Sequence, residues 1–380
     1  MAPNPKHRYW AIPMAALPLV VLLAILLSSV YTASRFTTIV RPYAIVPSDA
    51  EQVETRLDLE GVQRYRADGE ILFVTIREPQ LPLLSWLMFH DDDDIDTKTH
   101  DEIFGTSTPQ QVAVRGQRQM ISAQQSAEYA ALSKLGYPID LKPGDIIIDQ
   151  IICFKVADDG KSCADEAPSG KVLEPDDKLV SLDGTDIATI QNLLDVLTKH
   201  KPGDEVEVKY ERPGVDGVQT GTIELIASPD DPTRTIVGFY PFDTTTVGTM
   251  PFPIELDFDG IGGPSAGLAL TLTLIDELTP GELTGGQRVA ITGTINIEGE
   301  VGAIGGLAQK ASAVRQVGAK YFIVPASQSP ESLAAARAVV GDDVTIITVA
   351  TLDEALAALT KLGGNGDELG TPGKDYTPTS

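Results

Sequence analysis

Residues 259–267, DGIGGPSAG, and residues 291–310, ITGTINIEGEVGAIGGLAQK, decide how this chain is read. In the first stretch a glycine-rich turn opens a long apolar helix that runs to about Leu278. Pro264 suits the first helical turn, where its missing amide would have had no partner. Ser265 follows, and its small neighbours Gly263 and Ala266 leave room for another backbone to approach. Free amides and the positive dipole end at a helix start favour a developing oxyanion. A serine in this place is otherwise an ordinary helix cap, so the partner of its hydroxyl decides between the two readings.

A serine hydroxyl needs a base before it attacks a carbonyl. The chain has 4 histidines, none lies beyond His200, and that residue sits at a polar helix end in the preceding unit. The nearer candidate is Lys310, which follows Gly305-Gly306 at the start of a second helix. Leu307, Ala311, Val314 and Val317 repeat there at helical spacing, and Lys310 shares their face. An amine on an apolar face either reaches out to water or is buried for a purpose. Burial and the helix N-terminus both disfavour its charged form. Moving a lysine from ~10.4 to ~7 takes roughly 4–5 kcal/mol of differential solvation. A neutral Lys310 can then take the Ser265 proton and pass it on to a leaving amine.

Around these motifs, strands near Val289–Ile297, Lys320–Pro325 and Val344–Val349 alternate with helices as far as Leu362. That alternation predicts an α/β domain over 235–362. GPSAG followed 45 residues later by the lysine of GGLAQK resembles the proteolytic domain of the Lon protease family. The resemblance implies a Lon-type α/β fold, Ser265 as nucleophile, Lys310 as its base, and Thr292 in Ile-Thr-Gly as a residue that holds the lysine. Many Lon domains carry an acid directly before Gly-Pro-Ser. Here Gly262 and Gly263 stand at that place, and the nearest acid is Asp259.

Residues 137–230 read as a mostly β unit. A strand, the Asp183-Gly184 turn, a second strand, a helix capped by Thr189, the Pro202-Gly203-Asp204 turn and the alternating run Val206, Val208, Tyr210 follow in order. This order resembles a bacterial PDZ domain, which implies a sheet edge where an extended peptide adds as one more strand. Cys153 and Cys163 are the only cysteines, and either a disulfide or two thiols fits their spacing. Gly160-Lys161-Ser162 is not a nucleotide loop, because Lys155 stands where the first glycine of a P-loop is needed.

Lys6, His7 and Arg8 precede a 20-residue uncharged run, Ala11–Val30, bracketed by Trp10 and Tyr31. A helix of ~20 apolar residues spans a bilayer, so residues 1–34 are expected to form a short cytoplasmic segment and a transmembrane anchor. Basic residues before the span favour a cytoplasmic N-terminus and an extracytoplasmic remainder. Residues 35–136 are expected as a separate N-terminal region, with a strand in ILFVTIR, an apolar Leu81–Phe89, a solvated acidic loop at Asp91–Asp94, and a helix over 117–135. Residues 363–380 carry no apolar face and read as a disordered tail.

The whole layout resembles the bacterial membrane-anchored PDZ–Lon proteins, which have no ATPase module. It implies an ATP-independent serine endopeptidase of unfolded or flexible extracytoplasmic polypeptides, with no cofactor, no metal and no nucleotide; an oligomer is compatible with it. A net charge of −25 argues against nucleic acid as partner. A non-catalytic PDZ adaptor tethered to the membrane and a protein that processes only itself are the competing readings.

Overall fold

The computed structural model describes residues 17–36, 43–81, 95–99, 103–104, 107–157, 163–228 and 234–376. It divides into two units, 1–46 with 77–103, and 47–76 with 104–380. In the first unit helix α1 (Leu17–Phe36) presents exposed aliphatic side chains from Val20 to Leu27. Among the described residues no helix is long and apolar enough to cross a membrane. The described helix starts at Leu17, six residues into the expected span, and continues into Ser28, Ser29 and Thr32. Its apolar stretch Leu17–Leu27 therefore rises only ~16 Å, about half a hydrocarbon core. Residues 11–16 of the expected span lie outside the described residues, as do Asp91–Asp94 and all of Leu81–Phe89 except Leu81. Also in this unit, Tyr43–Ile45 at the start of strand β1 (Tyr43–Gln52) pair antiparallel with Asp96–Lys98.

Among the described residues the second unit holds two large sheets and several two-stranded ones. Its N-terminal part supplies the rest of β1, then β2 (Leu57–Leu59), β3 (Glu70–Arg77) and the long helix α2 (Pro109–Lys134). The strand expected in ILFVTIR is present as β3. It is not part of a separate N-terminal region, however, because it pairs in parallel with a strand, Arg288–Ile291, some 200 residues further on. Thr108 and Gln111 close a reciprocal capping box with Pro109 in the first turn, so α2 begins eight residues before the expected 117.

The PDZ-like sheet comprises β4 (Ile146–Ile151), β5 (Lys178–Leu182), β6 (Glu205–Glu211), β7 (Gln219–Glu224) and β8 (Phe239–Asp243), ordered β7-β6-β5-β4-β8. Helix α3 (Ile190–Leu197) packs on it and is capped by Thr189 through a box with Asn192. Asp183 and Gly184 both take positive φ, 47° and 73°, as a two-residue hairpin turn after β5 requires. Val206, Val208 and Tyr210 are buried and their neighbours are not, which is the alternation expected of a half-covered strand. The edge strand β8 lies past residue 230, so the sheet extends beyond the boundary read from the sequence. Cys153 and Cys163 form a disulfide, with Cα atoms 5.7 Å apart, across the hairpin of Cys153–Val156 and Cys163–Glu166.

The C-terminal third carries β9 (Ile254–Leu256, paired with β2 in a two-stranded sheet), α4 (Gly267–Leu278), β10 (Arg288–Ile291), α5 (Leu307–Gln316), β11 (Tyr321–Pro325), α6 (Pro330–Val340), β12 (Thr345–Val349) and α7 (Leu352–Lys361), of which β10, β11 and β12 complete the sheet of β3. Strands β12, β11, β10 and β3 run parallel side by side, with β1 beyond β3. Ile71, Leu72, Phe73 and Val74 of β3 are all buried. Ile71 and Phe73 face the core of α2, α4 and α7, while Leu72 and Val74 face that of α5 and α6. Coverage of both faces is what a parallel sheet needs. The tail is docked rather than disordered as far as Tyr376: the Tyr376 ring lies 5.4 Å from Tyr137 and 5.6 Å from Phe252, and its hydroxyl donates to the Pro251 carbonyl at 2.9 Å. Buried Leu369 and the bond from the Gly373 amide to the Leu135 carbonyl at 3.1 Å hold it as well, and such scattered anchors leave no periodic pattern to read.

Candidate active site

Helix α4 has Ala266 at its N-cap and no side-chain cap, so Ser265 does not serve as one. The chain reaches it through Gly263, whose φ of 88° suits glycine. The Ser265 carbonyl is pinned by the Gly293 amide at 2.9 Å and the Thr292 hydroxyl at 3.1 Å. The Gly267 amide turns back to the Pro264 carbonyl and that of Leu268 to Gly293. The amides of Ser265 and Ala266 have no backbone acceptor among the described residues. They are the open donors of the helix start.

The Ser265 hydroxyl oxygen lies 2.7 Å from Lys310 Nζ. Lys310 is only 2% exposed, on the inner face of α5 with Leu307, Ala311 and Val314. Its amine reaches the Val74 carbonyl at 2.9 Å and the Thr292 hydroxyl at 3.3 Å, and no carboxylate is among these partners. Burial pushes its pKa down to about 7. In the neutral form two N–H groups serve Val74 and Thr292, and the nitrogen lone pair accepts the Ser265 proton. Thr292 accepts from the lysine and donates to the Ser265 carbonyl, so every polar atom is matched. The group can therefore deprotonate an alcohol next to open amide donors, the arrangement that acyl transfer requires.

Ser265, Lys310, Thr292 and Ala266 thus come together. Gly263 contributes differently, through its left-handed turn and by giving its amide to the Gly116 carbonyl of α2 at 2.8 Å. Asp259 is exposed and lies apart from the amine's partners. His200 is held in the PDZ-like unit by Asp183 at 3.2 Å and Asp204 at 3.5 Å. Val74 and Gly116 were not singled out in the sequence: each acts through a backbone carbonyl, which every residue has, and both sit in the region least readable from pattern.

Residues 260–361 match the family described as Lon protease (S16) C-terminal proteolytic domain, and residues 152–224 match the PDZ domain family. The chain carries a Lon-type serine peptidase domain preceded by a PDZ domain. Among relatives, it is 33% identical over 94 residues to a Lon protease of Lachnoclostridium phytofermentans, which covers 25% of this chain and 11% of that one. It is 34% identical over 116 residues to Lon protease 2 of Bacillus subtilis, covering 29% and 20%. The chain thus spans a fifth or less of the length of these relatives. The PDZ domain of an SdrC-like protein from Listeria monocytogenes matches at 20% identity and a TM-score of 0.21, covering 26% of this chain and 88% of that one.

Proposed function

We propose that this chain is an ATP-independent serine endopeptidase with Ser265 as nucleophile and Lys310 as general base, acting on unfolded or flexible polypeptides. The observation that carries the reading is the 2.7 Å approach of the Ser265 hydroxyl to a buried lysine with no carboxylate partner. Neutral Lys310 takes the hydroxyl proton as Oγ bonds to the substrate carbonyl carbon. The resulting oxyanion faces the Ser265 and Ala266 amides. The lysine ammonium then protonates the departing amine as the C–N bond breaks, leaving an acyl ester on Ser265. Water, deprotonated by the same lysine, hydrolyses that ester. Thr292 is a positioning residue, joining the amine to the Ser265 backbone. This chain contains no P-loop, so the substrate must already be unfolded, and the PDZ domain supplies capture by strand addition.

The exposed aliphatic side chains of α1 support an anchoring role for this segment at a bilayer surface. Incubating the full-length chain in detergent with an unfolded protein tests the chemistry. Ser265→Ala and Lys310→Met should each lower cleavage by about a thousandfold or more. Cleavage that survives both substitutions excludes the dyad. Peptide binding without cleavage by the unaltered chain points to an adaptor instead. Separately, sedimentation with vesicles should be lost when residues 1–36 are removed.

A further inference from the structure

Helix α2 touches both domains within one turn. On its PDZ side, the Arg115 guanidinium lies 3.8 Å above the Tyr240 ring of β8. Its Nη2 donates to Gln150 of β4 at 2.9 Å and to Ser107 at 3.0 Å. Gln150 returns a bond to the Gln111 carbonyl of α2 at 2.7 Å. One turn on, Arg118 pairs with Asp149 of β4 and, at 3.2 Å, with Asp176. Asp149 is almost wholly buried, so this pair is specific: losing the arginine would leave a carboxylate without a partner.

Gly116 stands between the two arginines and faces the other domain. Its carbonyl accepts the Gly263 amide at 2.8 Å, and a Cβ there would stand 3.5 Å from Gly262 Cα and Gly263 N. Ser265 follows two residues later. The far end of α2 is fixed, because Ala127, Ala130, Ala131 and Leu132 are buried in the core shared with α4. Strand β8 is the terminal member of its sheet, paired on one side with β4. A captured peptide can therefore add to its other side, next to the strand whose Tyr240 carries Arg115.

We propose that Arg115 and Gly116 are positioning residues that couple the PDZ sheet to the serine loop, so that a peptide on β8 steadies Gly263 and aligns Ser265 for attack. Capture then raises turnover as well as affinity. The coupling rests on the peptidase reading above for its effect on turnover, and on the contacts alone for its effect on the loop.

The test uses the full-length chain and the variants Arg115→Ala, Gly116→Ala and Gly116→Leu. Amide hydrogen exchange is followed in residues 260–267 and 269–278, alongside kcat and KM on an unfolded protein. Arg115→Ala should speed exchange in 260–267 by about tenfold while leaving 269–278 unchanged, and lower kcat about tenfold with KM nearly constant. Gly116→Ala, whose new methyl makes ordinary contacts, should show the same change in smaller measure than Gly116→Leu. Gly116→Leu should reproduce Arg115→Ala. Unchanged exchange in 260–267 for both Arg115→Ala and Gly116→Leu overturns the proposal, as does a KM rise with kcat intact. A change spread equally through 269–278 also overturns it, because it would report general loosening. If the unaltered chain cleaves nothing, the peptidase reading fails, and the exchange arm still decides the coupling.

Discussion

At the scale of single residues the site turns on one proton. Lys310 must be neutral to accept it, and burial holds its pKa at about 7. Activity should therefore climb as pH rises through about 7 and fall about tenfold per unit below that point. A kcat/KM profile on a peptide without ionisable groups measures this, and a flat profile from pH 5 to 8 would remove Lys310 as base. Thr292 offers a finer probe. Thr292→Val keeps shape but deletes the hydroxyl that joins Nζ to the Ser265 carbonyl. One lysine N–H then loses its acceptor inside the core, and kcat should drop about tenfold to a hundredfold with the fold intact by circular dichroism.

At the scale of elements, the helices that carry the two reacting groups depend on backbone conformations only glycine takes easily. Gly306, before α5, has φ of 64°, and a Cβ there would sit 2.7 Å from Ile76 Cδ1. Gly306→Ala should cost about 1–2 kcal/mol for the left-handed conformation, read as a shift in the urea midpoint. It should also reduce activity by displacing the helix that holds Lys310. These glycines were legible as turns, and the serine and lysine were legible because a hydroxyl and an amine on helix starts are unusual in a spacing that matches a known proteolytic domain. What the sequence hid were the elements whose partners lie far along the chain. ILFVTIR announces a strand, but not that it would pair with β10 through Phe73 and leave the next carbonyl, that of Val74, to Lys310. VGFYPFD announces nothing until β4 is placed next to it. Thr108 and Gln111 carry the capping-box pattern, but residues 109–116 have no continuous apolar stripe to tie that cap to the helix legible from 117.

At the scale of the whole molecule, one buried and two half-buried titrating groups pull its stability in opposite directions. Burial raises Asp276 to about 7, with Glu282, Glu277 and Glu54 adding to the rise and the Leu283 amide opposing it. Burial alone raises Glu128 to about 7. Both hold a proton in the folded chain that the unfolded chain releases near pH 4, so stability falls as pH climbs from about 4 to 7. Each shift is worth roughly 3–4 kcal/mol. Lys310 behaves in the opposite sense. Its folded pKa is depressed, so between about 7 and 10.5 the unfolded chain binds the extra proton and stability rises with pH. The three together should give a minimum near pH 7, where Lys310 loses its proton. Urea unfolding from pH 4 to 10 measures this directly. Asp276→Asn with Glu128→Gln should flatten the acid limb alone, and Lys310→Met the alkaline limb alone. If Lys310→Met leaves the alkaline limb unchanged, the lysine is charged when folded. It could not then be the base, whatever its distance from Ser265.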